Sequence, residues 1–261
     1  MEINNFYQLE NLLEFKEGSY YKFIALIRAK DNSGVIDTKE RGEIFVRQWF
    51  VDSQTSLLKY REDMINLCKA TGARLYVTTD RKSVKKTVFK MLEQLHDIIK
   101  QFVFGSYGCV SLRKLSKFSS SASSLAECSD GNKYWLIDID DKDGIGDDKV
   151  NQLSQDFEYI FADKKIIRFK TVNGWHLLIK RNFDYRAEFA KRWQRAKDGL
   201  NHQDGMKRLF YIQEEEVFRR LYDLRSNYEI KENALTLVYF NKGVKYVKSD
   251  YRWDGNAEKL L

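Results

Sequence analysis

The chain has 261 residues, 43% of them apolar, with a net charge of +7 and a pI near 9.1. That apolar content supports one large domain or two compact modules and excludes a mostly disordered chain, while the cationic excess points to nucleic acid, nucleotide or acidic lipid. Three cysteines with no C-x-x-C spacing offer neither a disulfide framework nor a thiolate zinc site, and no apolar run of about 18 residues predicts a membrane span. A cytoplasmic protein is expected.

In chain order, residues 5–15 read as a short helix, 20–28 and 43–51 as strands, 57–69 as a helix and 73–78 as a strand. Val84, Val88, Met91, Leu92, Leu95, Ile98, Ile99 and Phe102 then recur at helical spacing and predict one apolar stripe. Residues 105–132 turn polar and serine-rich, which predicts a mobile loop or linker. It divides an N-terminal α/β module, residues 1–104, from a second module, residues 133–261.

The second module alternates strand (134–140), helix (148–161), strands (165–170 and 175–180), helix (184–198) and a helical piece (213–224). A strand at 235–240 and a hairpin return through 241–247 complete it. The βαββαβ order predicts an RRM-like, ferredoxin-like arrangement, and the chain as a whole an α+β fold. In such a sheet the first and third strands are central neighbours, so 134–140 should lie beside 175–180.

Within Tyr134–Asp140, strand alternation sets Leu136, Asp138 and Asp140 on one face. Two carboxylates ending an apolar strand are costly unless a cation sits beside them, and Mg²⁺ or Mn²⁺ is the expected one. The turn between the next two strands decides what else shares that face. A two- or four-residue loop would set Arg168 and Lys170 with Trp175 and Leu177. A three-residue loop, Val172-Asn173-Gly174 with Gly174 left-handed, pairs Lys170 with His176 and gives a cationic face of Arg168, Lys170 and His176. The three-residue loop is expected, and with it a site for a metal-bound nucleoside triphosphate.

Leu136-Ile-Asp-Ile-Asp140 and Gly174-Trp-His176 resemble two motifs of the archaeo-eukaryotic primase (primase-polymerase) superfamily: an apolar strand ending D-h-D, and a later s-x-H strand. Segments of the A-R-x-Y and D-I-D type are also similar to those of phage-encoded proteins. The resemblance implies metal ligation by Asp138 and Asp140, phosphate contact by His176, and nucleotidyl transfer on DNA or RNA. The family's third acid has no counterpart in residues 235–240, and Asp184, Asp223 and Glu229 read as poor substitutes. Two alternatives stand beside it: a non-catalytic nucleotide or nucleic-acid binder, and a metal-dependent phosphodiesterase. After Lys180, the cations Lys191, Arg192 and Arg195, interleaved with Phe183, Tyr185 and Trp193, are expected to contact a polynucleotide.

Overall fold

Two antiparallel sheets organise the chain in a computed structural model that describes residues 2–28, 31, 43–103, 121–142, 144–200, 204–232 and 234–241. The N-terminal part contributes β1 (Glu2–Asn4), α1 (Phe6–Leu12), β2 (Ser19–Arg28), β3 (Glu43–Val51), α2 (Gln54–Thr71), β4 (Arg74–Thr78), β5 (Lys82–Ser83) and α3 (Val84–Val103). The remainder contributes β6 (Tyr134–Asp140), α4 (Asp147–Ile160), β7 (Ile166–Lys170), β8 (Gly174–Lys180), α5 (Tyr185–Gly199), α6 (Gly205–Asp223), β9 (Tyr228–Lys231) and β10 (Leu235–Asn241). The fold is α+β.

Local chemistry explains most of these boundaries. Ser53 starts α2 through a reciprocal capping box with Ser56, and Gly72, at φ 68°, ends it in the left-handed conformation that glycine adopts without strain. In α3 the predicted stripe only half meets the body. Ile98 is buried, whereas Val88, Leu92 and Ile99 stay exposed.

The second sheet has the order β7-β8-β6-β9, so β6 and β8 are central neighbours. Its fourth strand is the short β9, not the expected one at 235–240. That segment instead crosses back as β10, between β1 and β4 of the first sheet. The reason is burial: Thr236 to Phe240 are all buried, which suits an interior strand covered on both faces, while four residues of β9 are too few for a periodic signal. The expected hairpin return after Asn241 lies outside the described residues.

The two sheets share one core rather than keeping separate ones. Tyr134, Leu136, Ile167, Phe169 and Leu178 of the second sheet pack with Tyr21, Phe23, Leu75 and Met64 of the first part. The other face of the second sheet packs Ile137, Ile139, Leu177 and Ile179 against α4 and α6. The linker expectation also changes. Residues 104–120 lie outside the described residues, but Ala122, Ser123 and Cys128 are fully buried, so this end of the segment packs as part of the body. Small side chains such as these reach buried positions that polarity alone would argue against.

Candidate functional site: an acidic cleft between the sheets

Strand β6 carries Asp138 and Asp140 on the face turned toward the first sheet, as its alternation predicts. The β6–β8 register pairs Asp138 with His176 and Asp140 with Gly174. His176 Nε2 lies 3.2 Å from Asp138 Oδ1, and its Nδ1 lies 3.0 Å from the hydroxyl of Thr236 on β10. One imidazole therefore joins the acid of the second sheet to a strand of the first.

Gly174 permits this closeness. A Cβ there would sit 2.0 Å from the carbonyl oxygen of Ile139, so only glycine lets β8 approach β6 at that point. The turn then folds down on the end of β6, where Asp141 N donates to Asn173 O at 3.0 Å.

The register of the hairpin corrects the expected face. Lys170 pairs with Trp175 and Phe169 with His176, while Thr171 N donates to Gly174 O, so the loop is the shorter Val172-Asn173. Gly174 does not have a positive φ among the described glycines. Arg168 and Lys170 consequently lie with Trp175 on the helical side, away from Asp138. Arg168 pairs with Glu158 of α4 at 3.2 Å and stacks 4.4 Å from the Trp175 ring centre, and Lys170 lies 4.6 Å from the same ring. The tryptophan face and Glu158 supply the partners that a solvated cationic face would otherwise have lacked.

Two cations of the first sheet face the acid pair across a cleft. This cleft of about 60 Å³ is lined by Asp138, Asp140 and His176 on one side and by Arg28, Arg74 and Tyr76 on the other. Arg74 is held by a bidentate pair with Asp31, at 2.6 and 2.5 Å, and stacks on Phe240. Burial pushes the Tyr76 hydroxyl above its ordinary range, against the opposing pull of Arg74 and Arg28. Thr171, 6% exposed, lines the same cleft with its hydroxyl oxygen buried and without a hydrogen-bond partner. A buried unpartnered hydroxyl carries a desolvation cost that a ligand or water would remove.

Strand β9 adds Lys231, which the sequence left unassigned, and Glu229, which it set aside as a poor third acid. Glu229 lies directly opposite Asp138 in the β6–β9 register, and Lys231 shares its face. Lys231 Nζ lies 2.8 Å from Asp138 Oδ2 and 3.0 Å from Glu229 Oε2. Burial acts to raise the Asp138 carboxyl, but His176 and Lys231 outweigh it and hold the group well below the usual carboxylate range. No signal in the sequence joins Glu229 to Asp138, because their pairing depends on which later segment takes the fourth strand.

Carboxylates are the hard oxygen donors that Mg²⁺ and Mn²⁺ take, and the Asp140 carboxylate makes no hydrogen bond or ion pair with the described residues. Among those residues no cluster of three or more His, Cys, Asp or Glu side chains is gathered closely enough to hold a metal. The ammonium of Lys231 bridges the carboxylates of Asp138 and Glu229 and already neutralises part of their charge.

The basic helix is α5. Arg192 bonds Glu188 and Asp163, each at 2.8 Å, and Arg195 bonds the buried Glu214 at 2.5 Å. These two arginines anchor α5 to its neighbours, and Lys191 lines a shallow surface groove beside them. Phe183, Tyr185 and Trp193 pack against the helical-side core. A larger cavity of about 580 Å³ lies on that side, walled by Phe189, Trp193, Phe218 and Tyr228, but it lacks convergent acids or a histidine. Among the described residues no helix is long and apolar enough to cross a membrane. No family model matches the chain, and no curated protein or solved structure matches it.

Proposed function

We propose that the cleft between the sheets binds the phosphates of a nucleoside triphosphate, and that the chain is a primase-polymerase-like nucleotidyltransferase acting on DNA or RNA. One observation carries the reading. Asp138 and His176, paired on neighbouring strands, meet Arg28 and Arg74 of the other sheet at a single cleft, with an unpartnered Thr171 hydroxyl inside it. Acids and cations converging on one small space suit a phosphate chain with its counter-ion.

Asp138 and Asp140 would hold Mg²⁺ or Mn²⁺, which when bound neutralises charge on phosphate oxygens. The residues themselves divide the remaining work. His176 donates to a phosphate oxygen or to Asp138, and the guanidinium of Arg28 or Arg74 faces the phosphates across the cleft. A cleft of about 60 Å³ is too small for a whole nucleotide, so only phosphate oxygens and their counter-ion enter it and the sugar and base lie at the mouth.

The test is titration of the full chain with a nucleoside triphosphate by calorimetry, with and without Mn²⁺. Asp138→Asn with Asp140→Asn should remove the metal dependence, and His176→Gln should weaken triphosphate binding about tenfold while sparing the nucleoside. Affinity indifferent to Mn²⁺ and to both variants would overturn the reading. A non-catalytic nucleotide binder is favoured by one feature: His176 and Lys231 already occupy both oxygens of Asp138. Primer extension and dinucleotide synthesis with Mn²⁺ separate the two.

A further inference from the structure

Helix α3 turns an apolar face to solvent along its whole length. Val84, Val88, Phe89, Leu92, Ile99 and Val103 are exposed by 43% to 65%, and Leu95 among them is half-buried. The helix rests on the body through its other side, where Thr87 and Ile98 are buried and Lys90 pairs with Glu127 at 2.8 Å. A contiguous apolar patch of this kind marks an interaction surface, whereas scattered single exposures do not.

The order of residues along the face states what fits it. About the midpoint between Glu93 and Gln94 the stripe reads alike in both directions. Val84 stands as far before that point as Val103 after it, Val88 as far as Ile99, and Leu92 as far as Leu95. At about 3.6 residues per turn, the members of each pair also lie on opposite sides of one common line along the helix. A two-fold axis through the midpoint therefore sets valine on valine, valine on isoleucine and leucine on leucine, in the interdigitated layers of an antiparallel helix pair. One patch matched to itself is what a two-fold dimer requires. Charge selects the same direction. The first turn of α3 has no acid and carries Lys85 and Lys86, which oppose the helix dipole. Antiparallel pairing brings Lys85 level with the last turn of the other helix, whose carbonyl end is negative, whereas parallel pairing would stack two lysine-bearing turns.

We propose that α3 is a self-association surface, through which two copies of this chain pair antiparallel as a two-fold dimer. No residue of α3 lines the cleft between the sheets, so the pairing does not depend on the reading of that site. A helix face about 30 Å long and about 10 Å wide falls short of the roughly 800 Å² per partner of a standard stable interface. The dimer therefore forms with concentration and is not obligate.

Sedimentation equilibrium of the full chain, from about 1 to about 200 µM, should show the mass rising from 31.0 kDa toward twice that value, with the melting temperature rising alongside. Leu92→Glu removes two leucines from the middle of the contact and sets two carboxylates there, so the dissociation constant should rise about hundredfold or more. Leu92 is 55% exposed in the single copy, so the variant should fold, which its melting curve at low concentration checks. Ile99→Glu, also exposed, is the second variant. Direction is read by cross-linking. Val88→Cys mixed with Ile99→Cys should form a disulfide-linked dimer under mild oxidation, and neither variant alone should exceed the wild-type background from its three native cysteines.

A monomer at every concentration overturns the pairing and leaves this face to a different protein or to another part of the chain. A dimer indifferent to both Leu92→Glu and Ile99→Glu has its interface elsewhere and overturns it equally. Val88→Cys linking to itself, without the mixed product, overturns the antiparallel order.

Discussion

Replacing His176 by alanine tests the junction between the sheets. The side chain is 12% exposed and makes two contacts, one to the Asp138 carboxylate and one to the Thr236 hydroxyl. The first is charge-assisted and contributes about 1.5–3 kcal/mol; the second is a neutral bond of about 0.5–1.5 kcal/mol. They share one ring and are not additive, and Asp138 keeps Lys231, so the expected loss is about 2–4 kcal/mol. At about 2–4 °C per kcal/mol for a chain of this size, the melting temperature should fall by roughly 5–15 °C. Urea denaturation gives the free energy, and a cycle with Thr236→Val isolates the inter-sheet bond. A coupling of about 0.5–1.5 kcal/mol is expected between the two positions. A variant that melts with wild type, or strict additivity with Thr236→Val, would refute a load carried between the sheets by this imidazole.

Gly174→Ala should cost about 3 kcal/mol or more, because its Cβ would meet the Ile139 carbonyl and not a movable side chain; a soluble variant melting like wild type would contradict the close approach. Burial and the nearby charge of Lys82 lower the pKa of Lys22 to about 8 from 10.5. The folded state therefore releases this proton before the unfolded state does, and stability should rise between about pH 8 and 10.5 by at most about 1.4 kcal/mol per pH unit. Lys22→Met should lose that slope, read as the difference between the two proteins' urea midpoints across the window; parallel curves would rule it out. On α5, Arg195→Ala strands the buried Glu214 and should destabilise by about 2 kcal/mol, the usual cost being reduced by the half-exposed arginine. Lys191→Ala, at a surface groove, should stay within about 0.5 kcal/mol, and equal effects would deny the anchoring role.

The site was legible where local pattern sufficed. Alternation placed Asp138 and Asp140 together, and the order of elements made β6 and β8 neighbours, so the acid and His176 were expected on one face. The error over Arg168 and Lys170 came from treating one face as buried and the other as solvated. Both faces of this sheet are covered, by α4 and α6 on one side and by the first part of the chain on the other. Under those conditions a cation is accommodated on either side wherever an aromatic face or a carboxylate awaits it, and Trp175 and Glu158 await these two. Gly174 misled in the same way. Its missing Cβ answers a steric demand from the neighbouring strand, whereas a turn signal concerns only the backbone of its own hairpin.

The sequence by itself determined what depends on near neighbours: the spans of most helices and strands, the α+β class, the acid pair and the facing histidine. Those follow from side-chain period, caps and strand alternation, which act within a few residues. Only the tertiary structure decided that β10 returns to the first sheet and leaves β9 as partner of β6. That choice brought Glu229 and Lys231 to Asp138, and Thr236 to His176, across 91 to 93 and 60 positions of chain respectively. Such pairings are selected by which strand can be buried on both faces and which must lie at an edge. That is a competition between whole segments for a shared core, and no local pattern encodes its outcome.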